Sequence, residues 1–471
     1  MYVSILYLLA CAQNADPFER TGDSSNTQTN DTEVHKNFDS AQSCQGCHPK
    51  HYAEWQTSSH AYASQSPVFN AMAQKAYRDS AGQIGDFCSN CHAPTSPRQG
   101  ESGALHSDDR SSISNEGVTC DYCHTAIGHD GIIGNNHIVN DTNSGLKYAQ
   151  YGGVDSVHKS EKSDFVASSQ LCGSCHDVFM YPNIVIDQVY SEYIESPSYE
   201  FGTECQDCHM GPVPGRTSQR PTEPIAVDPS GVKEYEPRER STHRFIGPDY
   251  PLVDTFPYPD DLEASRESTE ELKTQIQVLL NNSAHIVEIN LERENESEKL
   301  LTVAVESLTP GHRVPTGLTS ERQMWLEVTV YDANNSLVFQ SGNLDGNLDL
   351  RDSHSKEVQQ GIVEKDHQLM NFQSKNMVVT QANEDDEIWE YETIFPFDAD
   401  QIIRRSLEPM EKREIHYFFS TSSHGPFTVN VRLRFRNLPP YLLRALELDD
   451  LIERLKIFEI DEKEQLFTTV Q

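Results

Sequence analysis

The chain has 471 residues, enough for two or three domains, yet only 36% of them are apolar, a lean supply for the interior of a chain this long. Its 73 acidic against 37 basic side chains give a formal charge of −36, which excludes generic nucleic-acid binding because that needs a basic face. The same charge favours solubility and faster encounters with cationic patches on partners, although plain solvation accounts for it equally well.

Residues 1–10, Met-Tyr-Val-Ser-Ile-Leu-Tyr-Leu-Leu-Ala, form an apolar run too short to span a bilayer. It ends in Leu8-Leu9-Ala10-Cys11, which resembles the lipobox of bacterial lipoproteins. That likeness implies cleavage before Cys11 and acylation of it, so 1–11 is expected to be an export signal with its lipid-anchor cysteine. The expected location is the periplasmic face or the outer membrane of a Gram-negative bacterium, with the bilayer engaged through Cys11. A basic leader is missing, and a stray cysteine after a hydrophobic start is the competing account. Residues 12–43 are rich in Asp, Ser, Asn, Thr and Gln and cannot bury enough surface to offset their ordering entropy; they are expected to be a disordered tether.

Between Cys44 and His209 one phrase, C-x-x-C-H, occurs five times: Cys44-Gln-Gly-Cys47-His48, Cys88-Ser-Asn-Cys91-His92, Cys120-Asp-Tyr-Cys123-His124, Cys172-Gly-Ser-Cys175-His176 and Cys205-Gln-Asp-Cys208-His209. This is the attachment signature of c-type haem. The two thiols form thioethers and the next residue becomes the proximal iron ligand, because the spacing puts both sulfurs on one edge of a short helical turn. A zinc ribbon would use two such pairs for one metal and would not require His after each, and a thioredoxin-like pair would sit in a strand-then-helix unit that is not visible here. Of eleven cysteines ten lie in the motifs and the eleventh is Cys11, which leaves none for a structural disulfide. Five haems are therefore expected within 44–260, close to van der Waals contact with one another because little chain separates the motifs. Large apolar macrocycles would also make good the thin apolar content. Short helices at each motif joined by Gly- and Pro-containing loops are expected, with a longer helix over 49–63 that has Pro49 in its first turn.

Further phrases make the chain similar to the cytochrome c-554-type multihaem cytochromes over most of its length. They are Cys47-His48 followed by Trp55-Gln-Thr-Ser-Ser-His60, Glu116-Gly-Val-Thr-Cys-Asp-Tyr-Cys-His124, Cys205-Gln-Asp-Cys-His-Met210, His243-Arg-Phe-Ile-Gly247 and Pro310-Gly-His-Arg-Val-Pro-Thr-Gly317. The resemblance implies that histidines in such phrases are distal ligands of haems other than the nearest in sequence. It points to His60, His243 and His312, and to His158 from its spacing ahead of Cys172. For the fifth iron His106, His129, His137 and His51 compete, and if none serves, that iron stays open. Met210 adjoins His209 and so is a poor ligand for the same haem. Tyr122, inside the third motif, reads as packing rather than catalysis.

Residues 261–471 change character. Leu262, Leu272, Ile276, Leu279 and Leu280 follow helical spacing. Alternating runs then begin at His285, Leu301, Met324, Ser336, Glu414 and Phe427, with Asn-rich turn chemistry at Ala333-Asn-Asn335. They predict an antiparallel β-sandwich, with residues 439–456 helical. The whole is an α+β chain: a haem-packed, mostly helical and irregular region, then a sandwich-like domain with a C-terminal helix. His312 is expected to reach from the second region to an iron in the first.

The functional expectation is electron transfer, with redox proteins such as other multihaem cytochromes or a membrane complex as partners. The competing reading is an oxidoreductase acting on a small nitrogen or sulfur compound at an open iron. No motif ends in Lys in place of His, which favours the carrier. A structural module within a larger conduit would differ from the carrier only in its partners.

Overall fold

The computed structural model describes residues 38–468 except 102, 104–105, 154–156, 181–183, 296 and 381–388; Cys11 and the expected tether to residue 37 lie outside the described residues. From residue 38 to about 260 the chain is short helices, turns and two-stranded ladders. Four of the motifs wind into helices of four or five residues, Ser89–His92, Cys120–His124, Ser169–Gly173 and Cys205–His209. The first lies between the 3-10 turn Ala41–Cys44 and the helix Pro49–Trp55. Pro49 fits that first turn because its missing N–H would have had no partner there anyway. The expected helix over 49–63 is broken, since Ser58 turns to cap a second helix, Ser59–Tyr62, accepting from the Ala61 N–H at 3.3 Å. The longest helix of the region, Pro67–Asp79, buries Val68, Phe69, Ala73 and Ala76 along one face. Ser66 caps it and Pro67 opens it.

With few long elements, polar side chains tie this region together. Arg240, 7% exposed, donates to both carboxylate oxygens of Glu54 at 2.7 and 2.9 Å and also to Glu223. The Trp55 indole N–H donates to the Val118 carbonyl at 2.8 Å. A planar guanidinium forked on a carboxylate costs less order than two floppy ion pairs would.

The helix Leu262–Asn281 then leads into the strands. One sheet has the order Lys412–Ser420, Glu298–Ser307, Ala284–Arg293, and the other Leu337–Ser341, Gln323–Tyr331, Phe427–Arg436, Phe458–Phe467. All these pairings are antiparallel. Phe427, Val429, Val431, Leu433 and Phe435 alternate into the core between the sheets, meeting Leu301, Val303 and Val305. Arg432 and Arg434 point the other way, to Glu327. Each fully buried aliphatic side chain contributes about 1.5–3 kcal/mol. Gln323–Tyr331 is buried on both faces because Trp325 packs on the outer one, beneath Arg434 and Arg436.

A third sheet, Trp389–Thr393, Lys375–Thr380, Gln401–Ile403, extends the strand region. The expected C-terminal helix is the helix Pro440–Ala445 and a 3-10 turn, Asp449–Arg454. The described residues fall in a single contact unit, and among them no helix is long and apolar enough to cross a membrane.

Candidate functional site

Four of the five motifs, those of His48, His92, His124 and His209, hold the histidine by a simple device. A neutral imidazole whose Nδ1–H is donated to a carbonyl must keep its Nε2 lone pair free for a metal. His48 Nδ1 donates to the Ile225 carbonyl at 2.9 Å, His124 to Tyr148 at 2.7 Å and His209 to Ile246 at 3.0 Å; the His92 ring bonds the backbone of Ala63. Burial pushes the histidines toward the neutral form a ligand needs: His92 and His209 to about 4, His60 to about 3, and His48, His124, His243 and His312 downward as well.

Eight of these rings face one another in pairs. A metal–imidazole bond is about 2 Å and a ring nitrogen sits about 1 Å from its ring centre, so imidazoles on opposite sides of one metal have centroids about 6 Å apart. The observed separations are 6.2 Å for His48 and His158, 6.3 Å for His60 and His176, 6.2 Å for His124 and His243, and 6.1 Å for His209 and His312. In each pair one ring belongs to a motif and the other does not. His243 and His312 carry the same Nδ1-to-carbonyl bond, to Ser241 at 3.2 Å and Arg313 at 2.8 Å, and His158 bonds Lys159 at 3.1 Å. His158, His60 and His243 each face a motif other than the nearest in sequence, whereas His312 faces the nearest, that of His209.

His92 is different. Among the described residues no histidine faces it; Phe69 stacks on its ring instead, with centroids 4.3 Å apart and planes 6° from parallel. The other candidates are placed elsewhere. His106 is exposed beside Asp108, His137 pairs with Asp130 at 3.1 Å, and His129 accepts from the Gly131 N–H. His51 is half-buried and edge-on to His243, centroids 4.7 Å apart, with its Nδ1 buried and unpartnered. Met210 hydrogen-bonds through its backbone to Gln206 and Thr242, and the buried Tyr122 hydroxyl donates to Asn136 Oδ1 at 2.6 Å.

The motif cysteines form no disulfides, and they meet across motifs. Cys44 lies beside Cys120, Cys91 beside Cys175 and Cys172 beside Cys205. Cys123 lies near enough to Cys172 and Cys175 for its charge to raise both. The first motif thus adjoins the third, the third the fourth, and the fourth both the second and the fifth. The donor set fits haem: paired thiols, an adjacent imidazole with Nε2 free, and a facing ring at bis-imidazole distance for four motifs of five. Sequence reasoning missed the acceptors Ile225, Tyr148 and Ile246, since any residue supplies a carbonyl, and it missed Phe69 and the meetings of thiols, which arise from distant segments.

The family model described as "Cytochrome c554 and c-prime" matches residues 43–125, the stretch holding the first three motifs. A search of curated protein sequences finds no significant match. Among solved structures, a penta-heme cytochrome c552 from Thermochromatium tepidum superposes with a TM-score of 0.58 at 18% identity, over 91% of this chain and 99% of that one. Repeated motifs and matched segment make this chain similar to the multihaem c-type cytochromes of the c554 kind, and it shares the fold of the penta-heme cytochrome c552.

Proposed function

We propose that the chain carries five c-type haems, tethered through Cys44/Cys47, Cys88/Cys91, Cys120/Cys123, Cys172/Cys175 and Cys205/Cys208, and that it transfers electrons among them and to redox partner proteins. Each haem supplies a one-electron couple whose potential is tuned by burial and axial ligands. The observation that carries this reading is the four facing imidazole pairs at 6.1–6.3 Å. Two imidazoles on one iron leave no position for substrate, which suits a carrier. The histidines His48, His92, His124, His176 and His209 act as proximal ligands, and His158, His60, His243 and His312 as distal ones. The closeness of sulfurs from different motifs supports the route: first to third to fourth, then to the fifth, with the second as a side branch. Anchoring through Cys11 on an exported protein completes the proposal.

One observation favours a second function at the branch. With no facing imidazole among the described residues, an iron on His92 would keep a position for a small nitrogen or sulfur compound, as an oxidoreductase would. Electron paramagnetic resonance of the oxidised, haem-loaded protein tests both readings. Four low-spin centres and one high-spin centre that alone binds carbon monoxide or nitrite are expected. Five low-spin centres would remove the open site and leave the carrier.

A further inference from the structure

Glu321 lies on the loop between His312 and the strand Gln323–Tyr331. It is only 6% exposed, and its Oε1 is buried without a hydrogen-bond partner. A carboxylate in that position is costly unless paired. The adjacent Arg322 is no remedy, because its guanidinium is committed to Asp249 Oδ2 at 2.8 Å and to the Thr316 carbonyl at 3.1 Å. Asp249 in turn accepts through its backbone from Ser59 Oγ at 2.9 Å, so the loop is pinned beside the helix that carries His60. The charged and titratable groups that face Glu321 are Arg322 and Asp249, and its own charge reaches Cys88; that of Asp249 reaches His92. Both carboxyls therefore act electrostatically on the second motif, Asp249 paired with Arg322 and Glu321 with no partner at Oε1. Burial pushes the Glu321 carboxyl up to about 7, so small changes in nearby charge decide whether it holds a proton.

We propose that Glu321 takes up one proton from solvent when the haem on Cys88 and Cys91 is reduced, making that haem the place where electron transfer is coupled to proton uptake. The inference rests on the five-haem reading. The balance is simple: one electron passes from the reduced haem at Cys172 and Cys175 to the iron on His92, and one proton from water joins a Glu321 carboxylate oxygen. No other bond changes. Reduction lowers the positive charge at the iron, which raises the proton affinity of a carboxyl nearby. The potential must then fall as pH rises.

The test is a spectroelectrochemical titration of the full haem-loaded chain at pH values on both sides of neutrality. The haem in question is assigned by difference from a variant with Cys88→Ala and Cys91→Ala. Its reduction equilibrium is expected to shift tenfold per pH unit, about 59 mV for one electron, with a flat response in E321Q and the other four haems unchanged. A slope that survives in E321Q, or that disappears in Asp249→Asn instead, overturns the proposal. If E321Q does not load haem, E321D should keep the slope over a displaced pH range, and a flat E321D overturns it equally. A wild-type mass without haem at Cys88 and Cys91 would sink the five-haem reading as well, whereas a flat wild-type response with all five present sinks only the role of Glu321.

Discussion

His312 stands on a loop closed by Pro310 and Pro315, held to the haem region by Glu192. That carboxylate accepts from the Arg313 N–H at 3.1 Å and the Thr316 hydroxyl at 2.7 Å. Replacing His312 with Ala should leave His209 without its facing ring. The expected outcome is one more high-spin centre by electron paramagnetic resonance, with faster proteolysis of the loop. Gly117 shows how a small residue governs a ligand it does not touch chemically. Its backbone has φ +71°, and a Cβ there would stand 2.3 Å from the His60 carbonyl oxygen. Gly117→Ala should therefore push the helix Ser59–Tyr62 away and break the pairing of His60 with His176, read as loss of one low-spin signal at unchanged haem mass. At this scale the motif histidines could be singled out from sequence, since each directly follows a pair of cysteines separated by two residues. His60, His158, His243 and His312 were reachable only through resemblance. No local spacing distinguishes a histidine that will face another ring from one that, like His137, ends beside an aspartate.

Among the elements, those with a clean period were the ones readable from sequence. The strand Phe427–Arg436 alternates over its whole length, and the helix Leu262–Asn281 places Leu272, Ile276 and Leu280 on one buried stripe. Ile276 is fully buried against the sandwich, so Ile276→Ala should cost about 2–5 kcal/mol of stability in denaturant unfolding while leaving the haem spectrum unaltered. Phe458–Phe467 escaped notice because its second half, Glu462-Lys-Glu-Gln, is charged. It forms the edge of its sheet, where only one side is paired and polar residues are tolerated. Trp389–Thr393 likewise carries exposed aromatic side chains, Trp389 and Tyr391, and lacks the inward alternation that marks a core strand. In the haem region the single helix expected over 49–63 became two, because the serine at 58 caps a new helix more favourably than it extends the old one.

For the molecule as a whole, electrostatics decide how the parts respond to solution conditions. Asp254, before the long helix, receives hydrogen bonds from Arg454 at 2.6 Å and Arg266 at 3.1 Å. Arg454 first, then Arg266, pulls its carboxyl from the ordinary 3.8 to about 2. A depressed carboxyl stabilises the fold above its unfolded value and loses that contribution as pH falls through the folded one. Acid unfolding should therefore draw on this contact between about pH 4 and pH 2, and Asp254→Asn should lose stability at neutral pH and show a flatter profile over that window by circular dichroism. The charge of −36 leads to a kinetic expectation. Association with a lysine-rimmed redox partner should slow steeply as ionic strength rises in stopped-flow mixing, and a rate indifferent to salt would show that the charge serves solvation alone.

What the amino-acid order settled unaided is everything that depends on near neighbours: five thiol pairs each followed by histidine, and the helical or alternating periods around them. Facing pairs such as His48 with His158 and His209 with His312 join residues more than a hundred positions apart. Segment packing also leaves the motif of His92 without a facing histidine among the described residues, with Phe69 against its ring. These were decided by the tertiary structure alone, because the distance between two rings is set by how whole segments pack and not by any residue beside them.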